Sequence, residues 1–202
     1  MVVFVSLSSV TEHATRTADP HGRLVILDRD GVINQDSDNY IRSCDELIFI
    51  PGSLEAIARL HQAGYRIAIA TNQSGVGRGY FDIDTLNQMH AKLHQALAEV
   101  GGAVDLIAFC PHTPEQGCDC RKPQPGLLQA IAERFNCQLE GVPVIGDALR
   151  DIVAAQRVAA KPMLVLTGKG EQTMLSGDPA LEGVPVFANL AHAVNQLLAS
   201  DL

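Results

Sequence analysis

From residue 23 to the C-terminus, short aliphatic runs alternate with amphipathic stretches, and this alternation limits the fold more than any other feature of the chain. "RLVILD" (residues 23–28) is apolar at consecutive positions, as a parallel strand covered on both faces must be. "GSLEAIARLHQAG" (residues 52–64) carries a stripe of Leu54, Ile57, Ala58 and Leu60, with Ser53 placed to cap a helix and Gly64 to end it. Further strands are expected over residues 65–71, in "VDLIAFCP", over residues 142–147 and 161–167, and in "VPVFANL". Helices are expected over residues 82–100, in "PGLLQAIAERFN" with its leading proline, in "ALRDIVAAQRVA" and in a last segment to Leu198. Such an order predicts an α/β three-layer sandwich around a mainly parallel sheet with right-handed crossovers. With no internal repeat, low-complexity tract or linker, residues 23–202 read as one domain. Residues 1–22 read as an N-terminal extension, either loose or adding a short strand.

In an open parallel sheet, ligands bind beyond the carboxyl ends of the strands. Asp28, Thr71 and Asp147 stand at such ends, and Lys122 opens the helical stretch that leads into the fourth strand. Fifteen basic residues against twenty-three acidic ones give a net charge of −8, so no global field attracts nucleic acid or anionic lipid. An anionic substrate would need cations placed locally. No apolar run approaches the roughly 20 residues of a spanning helix. The opening "MVVFVSLSSV" lacks both a basic segment and a cleavage site, so a cytoplasmic protein without membrane or nucleic-acid partners is expected, as a monomer.

Four short motifs stand out. "DRDGVIN" sets Asp28 and Asp30 two apart after a buried strand, although Asp and Gly are also plain turn formers. Thr71 is followed by Asn72, Gln73 and Ser74. Lys122 offers a point charge before a helix, where phosphate is favoured. "GDALRD" brings another acid, Asp147, to a strand end. Their order and placement are jointly improbable as decoration.

The set resembles the haloacid dehalogenase-like phosphohydrolases over roughly residues 23–170, through D-x-D, a strand-terminal Ser/Thr, a Lys and G-D-x-x-x-D. The resemblance implies a Rossmann-like haloacid dehalogenase fold. Asp28 would be the nucleophile that carries the phosphoryl group, and Asp30 the acid and then the base. Mg²⁺ would be held by the carboxylates of Asp28 and Asp147 and the backbone carbonyl of Asp30. Thr71 and Lys122 would grip the phosphoryl group. The intervals around Thr71 leave no room for a cap domain, so specificity must come from loops.

Cysteines close together in a reducing compartment favour metal or catalysis over disulfides. Spacing alone leaves Cys110, His112, Cys118 and Cys120 balanced between a metal site and buried thiols. The run C-x-H…C-x-C-R-K-P-x-P-G, with D-R-D-G and T-N-Q-S-G, resembles the D-glycero-D-manno-heptose-1,7-bisphosphate 7-phosphatases, and histidinol-phosphatases share much of it. That resemblance implies a small loop (residues 110–120) holding a structural Zn²⁺. It also implies a sugar phosphate substrate from lipopolysaccharide inner-core synthesis, with Asn72, Gln73, Ser74 and Arg121 near it. The loop "QDSDNY", with Asp36 and Tyr40, would line the mouth. Ala148 stands where many members have lysine. The same-class alternative is a histidinol-phosphatase; the alternative of another class is a zinc-stabilised binding module without catalysis.

Other features read as bland. "GVGRGY" has Tyr80 where a dinucleotide loop needs its third glycine. His90 and His94, at i and i+4 without the glutamate of HExxH, read as polar helix residues. Cys44 and Cys137 read as plain thiols, and Lys169 as part of a solvated turn.

Overall fold

In the computed structural model, the described residues are 3–5 and 23–200. Strands β1 (Val3–Val5), β2 (Leu24–Leu27), β3 (Arg66–Asn72), β4 (Leu106–Cys110), β5 (Pro143–Gly146), β6 (Lys161–Val165) and β7 (Val186–Phe187) form one sheet in the order β1-β4-β3-β2-β5-β6-β7. All neighbours are parallel except β1, which pairs antiparallel with β4 (Val3 opposite Phe109, Val5 opposite Ile107). Apart from that strand, the expected extension lies outside the described residues. The helices are α1 (Ser53–Gln62), α2 (Ser74–Gly77), α3 (Ile83–Glu99), α4 (Gly126–Phe135), α5 (Leu149–Gln156), α6 (Gly170–Leu175) and α7 (Leu190–Ala199).

The period of two along the strands sorts side chains between the layers. Val25 and Leu27 of β2, with Ile67, Ile69, Ile107 and Ile145, face α1, α3 and α7 through Ile57, Leu60, Leu93 and Val194. Leu24 and Ile26, with Ala68, Ala70, Leu106 and Ala108, face α4 and α5 through Leu127, Leu128, Ile131 and Ala155. Each fully buried aliphatic side chain stabilises the fold by about 1.5–3 kcal/mol. Because both faces of β2 are covered, its run contains no polar residue until Asp28.

Chain order reverses at β2: β3 and β4 build one half of the sheet, and β5, β6 and β7 the other. The crevice at a reversal of this kind is where ligands of α/β sheets bind. It lies between the ends of β2 and β5, which carry Asp28 and Asp147.

No cap domain interrupts either interval. Residues 34–50 form a folded-back loop in which Gln35 N–H donates to Ile48 and Ile50 N–H to Ile33. Lys92 of α3 anchors that loop, donating to the carbonyls of Cys44 (2.6 Å) and Leu47 (3.0 Å). Two local expectations differ from the structure. Ser53 makes no cap; its hydroxyl is buried and donates to the Val32 carbonyl (2.9 Å), tying α1 to the turn after β2. His90, expected as a plain polar residue of the helix, is fully buried in α3, tilted against Phe109 at 5.9 Å between ring centres.

Candidate active site

Asp28 continues the ladder past β2, its N–H donating to the Ile145 carbonyl at 2.9 Å. Its Oδ1 accepts the Arg29 N–H (2.7 Å) and lies 3.0 Å from Lys122 Nζ. Lys122 does not begin α4; it sits four residues before it, with its side chain buried. Its ammonium donates to the Ala70 carbonyl (2.6 Å) and also pairs with Asp151 Oδ1 (2.6 Å). Burial acts against this charge, but Asp151 and Asp28 outweigh it and raise Lys122 above the ordinary lysine range. All three donors of the ammonium are thereby engaged.

Asp147 ends β5. Its Oδ2 accepts the Lys169 N–H (2.8 Å), while Oδ1 is buried without a hydrogen-bond partner among the described residues. The carboxylate is framed by Gly31 (φ +83°) and Gly168 (φ +58°), and a Cβ on either would overlap it. Burial, with the charges of Asp28 and Asp151, pushes Asp147 up to about 8. Burial also pushes Asp28 up to about 6, with Asp151 adding to the effect and Lys122 opposing it. Two neighbouring carboxylates raised in this way, one with an orphaned oxygen, are a donor set for a hard divalent cation. Oxygens of Asp28, Asp147 and Asp151 lie within 4.8 Å of one another. Asp151 is already committed, however, with Oδ2 accepting the Ala148 N–H (3.0 Å) and Oδ1 against Lys122. Asp28 and Asp147 are the carboxylates left for a metal.

The Asp30 side chain stands apart from that cluster. Arg29, almost fully buried, grips it through Nε (3.2 Å) and Nη2 (2.8 and 3.1 Å). Asn34 (2.9 Å) and Gln73 (2.8 Å) add their amide donors. Burial alone would raise the Asp30 carboxyl, but Arg29 and these hydrogen bonds prevail and hold it below the usual range. As it stands, Asp30 is equipped as a base.

Thr71, at the end of β3, accepts from Gln73 Nε2 (2.9 Å), which leaves its own hydroxyl hydrogen free to donate. Asn72 points at the chain rather than into the crevice. Its amide donates to the Lys122 carbonyl (3.0 Å) and accepts the Lys122 N–H (3.1 Å). Gln73 and Asn72 therefore position other site residues, and Ser74 is buried at the start of α2. Arg121 donates to the His112 carbonyl (3.2 Å) and is half-buried. Asp36 pairs with Lys169 at 3.2 Å, and Tyr40 packs edge-on against Tyr80 at 5.0 Å. The loop 35–40 is thereby clasped from both sides of the mouth.

The cysteine loop closes on itself. Cys110 Sγ lies 3.3 Å from Cys120 Sγ and 3.6 Å from Cys118 Sγ, and His112 Nδ1 lies 3.4 Å from Cys110 and 3.3 Å from Cys120. Three sulfurs and one imidazole so gathered fit a tetrahedral zinc ion with no place left for water. Burial pushes the Cys110 thiol up, which disfavours a thiolate without a metal beside it.

Arg29, Arg150 and Asp151 are site residues that the sequence reading left without a role. Only Asp151 carried a signal, as the last acid of G-D-x-x-x-D; the arginines declare themselves only through what they touch.

A family model described as HAD-hydrolase-like matches residues 119–193. The D-glycero-beta-D-manno-heptose-1,7-bisphosphate 7-phosphatase of Pseudomonas aeruginosa is 54% identical over 175 residues, covering 87% of this chain and 97% of the relative. That of Neisseria meningitidis is 53% identical, covering 83% of this chain and 90% of the relative. The solved D,D-heptose 1,7-bisphosphate phosphatase of Bordetella bronchiseptica, complexed with magnesium and phosphate, superposes with a TM-score of 0.85 at 53% identity, covering 88% of this chain and 99% of that one.

Proposed function

Since this chain belongs to the D-glycero-beta-D-manno-heptose-1,7-bisphosphate 7-phosphatase family of haloacid dehalogenase-like hydrolases, we propose that it removes the 7-phosphate of a heptose 1,7-bisphosphate. The observation that carries this reading is the crevice at the β2/β5 reversal, where the buried carboxylates of Asp28 and Asp147 face one another beside Lys122 and one Asp147 oxygen lacks a partner.

Asp28 attacks phosphorus, forming an O–P bond as the bond to the sugar oxygen breaks. Asp30 gives its proton to that oxygen and the sugar leaves. Asp30, now a carboxylate, takes a proton from water, which attacks the same phosphorus; the Asp28–P bond breaks and inorganic phosphate departs. The donors around Asp30 favour this second duty. The approach of an anionic phosphate raises its affinity for the proton needed in the first. Asp28 and Asp147, with the Asp30 backbone carbonyl, would hold Mg²⁺, which lessens the repulsion between two anions that must meet. Thr71 donates its hydroxyl hydrogen to the phosphoryl group. Lys122, saturated by its partners, aligns and neutralises Asp28.

Cys110, His112, Cys118 and Cys120 would hold a structural zinc, which would fix the loop that carries Arg121 and Lys122. Asp36, Tyr40 and Ser74 line the approach of the sugar. The enzyme acts as a cytoplasmic monomer supplying the heptose of lipopolysaccharide. No described helix is long and apolar enough to cross a membrane. Residues 23–202 constitute the phosphatase domain and residues 1–22 an extension.

The test is phosphate release from both heptose bisphosphate anomers and from histidinol phosphate, side by side. Release should be fastest on a heptose bisphosphate, be abolished by EDTA and return with Mg²⁺. A preference for histidinol phosphate would assign the chain to that neighbouring activity, and no release from any ester would leave a binding module.

A further inference from the structure

We propose that Arg150 is a further catalytic residue, whose guanidinium binds the phosphoryl group in flight beside Asp28. The inference rests on the aspartyl-phosphate reading above. Arg150 is the second residue of α5, and its side chain turns back over the crevice. Its Nη2 stops 3.9 Å from Asp28 Oδ2, too far for a hydrogen bond. That oxygen lies opposite the one held by Lys122 and the Arg29 N–H. Arg150 Nε is buried without a partner among the described residues, while the side chain as a whole is 31% exposed.

The other cations around the crevice are engaged. Arg29 is bound to Asp30, Lys122 to Ala70, Asp28 and Asp151, and Lys169 to Asp36 and Asp38. Arg121 donates an N–H of Nη1 to the His112 carbonyl. A buried Nε without an acceptor is costly, and packing explains neither that nor the position of Nη2, on the same guanidinium, against the nucleophile. A phosphoryl group bonded to Asp28 presents its equatorial oxygens where the Arg150 fork ends, and supplies the missing acceptors. Planar bidentate contact with phosphate is the geometry that arginine provides and lysine does not. A donor preset against charge that develops during the reaction acts on kcat more than on KM.

The test measures kcat and KM for p-nitrophenyl phosphate and for heptose 1,7-bisphosphate with the Mg²⁺-loaded wild type, Arg150→Ala and Arg150→Lys. Removal of one such donor should lower kcat about a hundredfold on both esters, with KM changed little. Arg150→Lys should recover only part of the loss. Unchanged kcat on p-nitrophenyl phosphate in Arg150→Ala would overturn the proposal, including the case in which only the bisphosphate suffers, because Arg150 would then read the phosphate that stays behind. If Arg150→Ala fails to fold, Arg150→Lys with wild-type kcat on both esters overturns it equally. A wild type that releases no phosphate sinks the underlying reading; an active wild type matched by its variants sinks this inference alone.

Discussion

Lys122 and Asp151 meet at 2.6 Å with both side chains almost wholly withdrawn from water, one brought by the loop after β4 and the other by the first turn of α5. Breaking a buried pair by removing one charge typically costs about 3–5 kcal/mol. Asp151→Asn keeps an acceptor for the Ala148 N–H, and Asp28 still faces Lys122, so the lower end applies. Urea denaturation should give a loss of about 3 kcal/mol. A change within about 0.5 kcal/mol would mean that water screens the pair after all.

Asp28→Asn keeps the shape of the nucleophile and removes its charge. Turnover should fall at least about a thousandfold, since no neighbouring group can take over a covalent step, while circular dichroism stays native. Near-normal phosphate release would end the assignment of Asp28.

The metal-free protein should lose stability as pH rises, relative to the Mg²⁺-loaded form. Asp28 and Asp147 hold protons up to about 6 and about 8, both above the 3.8 of a free carboxyl. Their contribution is therefore complete below pH 3.8 and is lost as pH climbs through those two values. The rise in Tm on adding Mg²⁺ should accordingly be small at about pH 5 and large at about pH 8.5. Equal shifts at both ends would show that the two carboxylates do not bind the ion.

His90 has the opposite sign. Burial, then the charge of Arg29 and the neighbouring His94, depress it to about 3 from 6.5, so the stability it contributes is present above pH 6.5 and lost as pH falls toward 3. His90→Leu should match the wild type near neutrality and outlast it in thermal melts at about pH 4–5. Its advantage should grow by at most about 1.4 kcal/mol for each pH unit of acidification, the free energy of binding one proton more in the unfolded chain. Parallel curves would place the ring in contact with solvent.

Elemental analysis should find about one zinc per chain, as a Cys₃His site requires. Cys118→Ser should lose or weaken that zinc, lower Tm and impair kcat or KM, yet leave the Mg²⁺ requirement unchanged. A zinc-free wild type of full activity and stability would leave these residues as thiols.

The sheet and its reactive end were legible because β2, β3 and β5 each combined an aliphatic run with a polar residue at its close, as in "RLVILD" ending in Asp28. The destinations of long or amide side chains were not. Asn72 could as well have faced a sugar, and nothing local says that it holds the Lys122 backbone. Arg29 sits between two aspartates in sequence, yet it is almost fully buried with its guanidinium closed on Asp30. His90 is a different matter: with Leu86, Leu93 and Leu97 it lies on the buried stripe of α3, and the periodicity that placed those leucines applied to it too.

The twin hydrogen bonds between Asn72 and Lys122 reproduce with a side-chain amide what one more peptide of a β-ladder would have made. The Lys122 backbone is thereby registered to β3 as well as to the metal-binding loop that delivers it. Residues 113–117, which arch between the metal-binding positions, carry none of that registration. They form an exchangeable insert: graft a longer or shorter one between His112 and Cys118, and Lys122 should return to the same place.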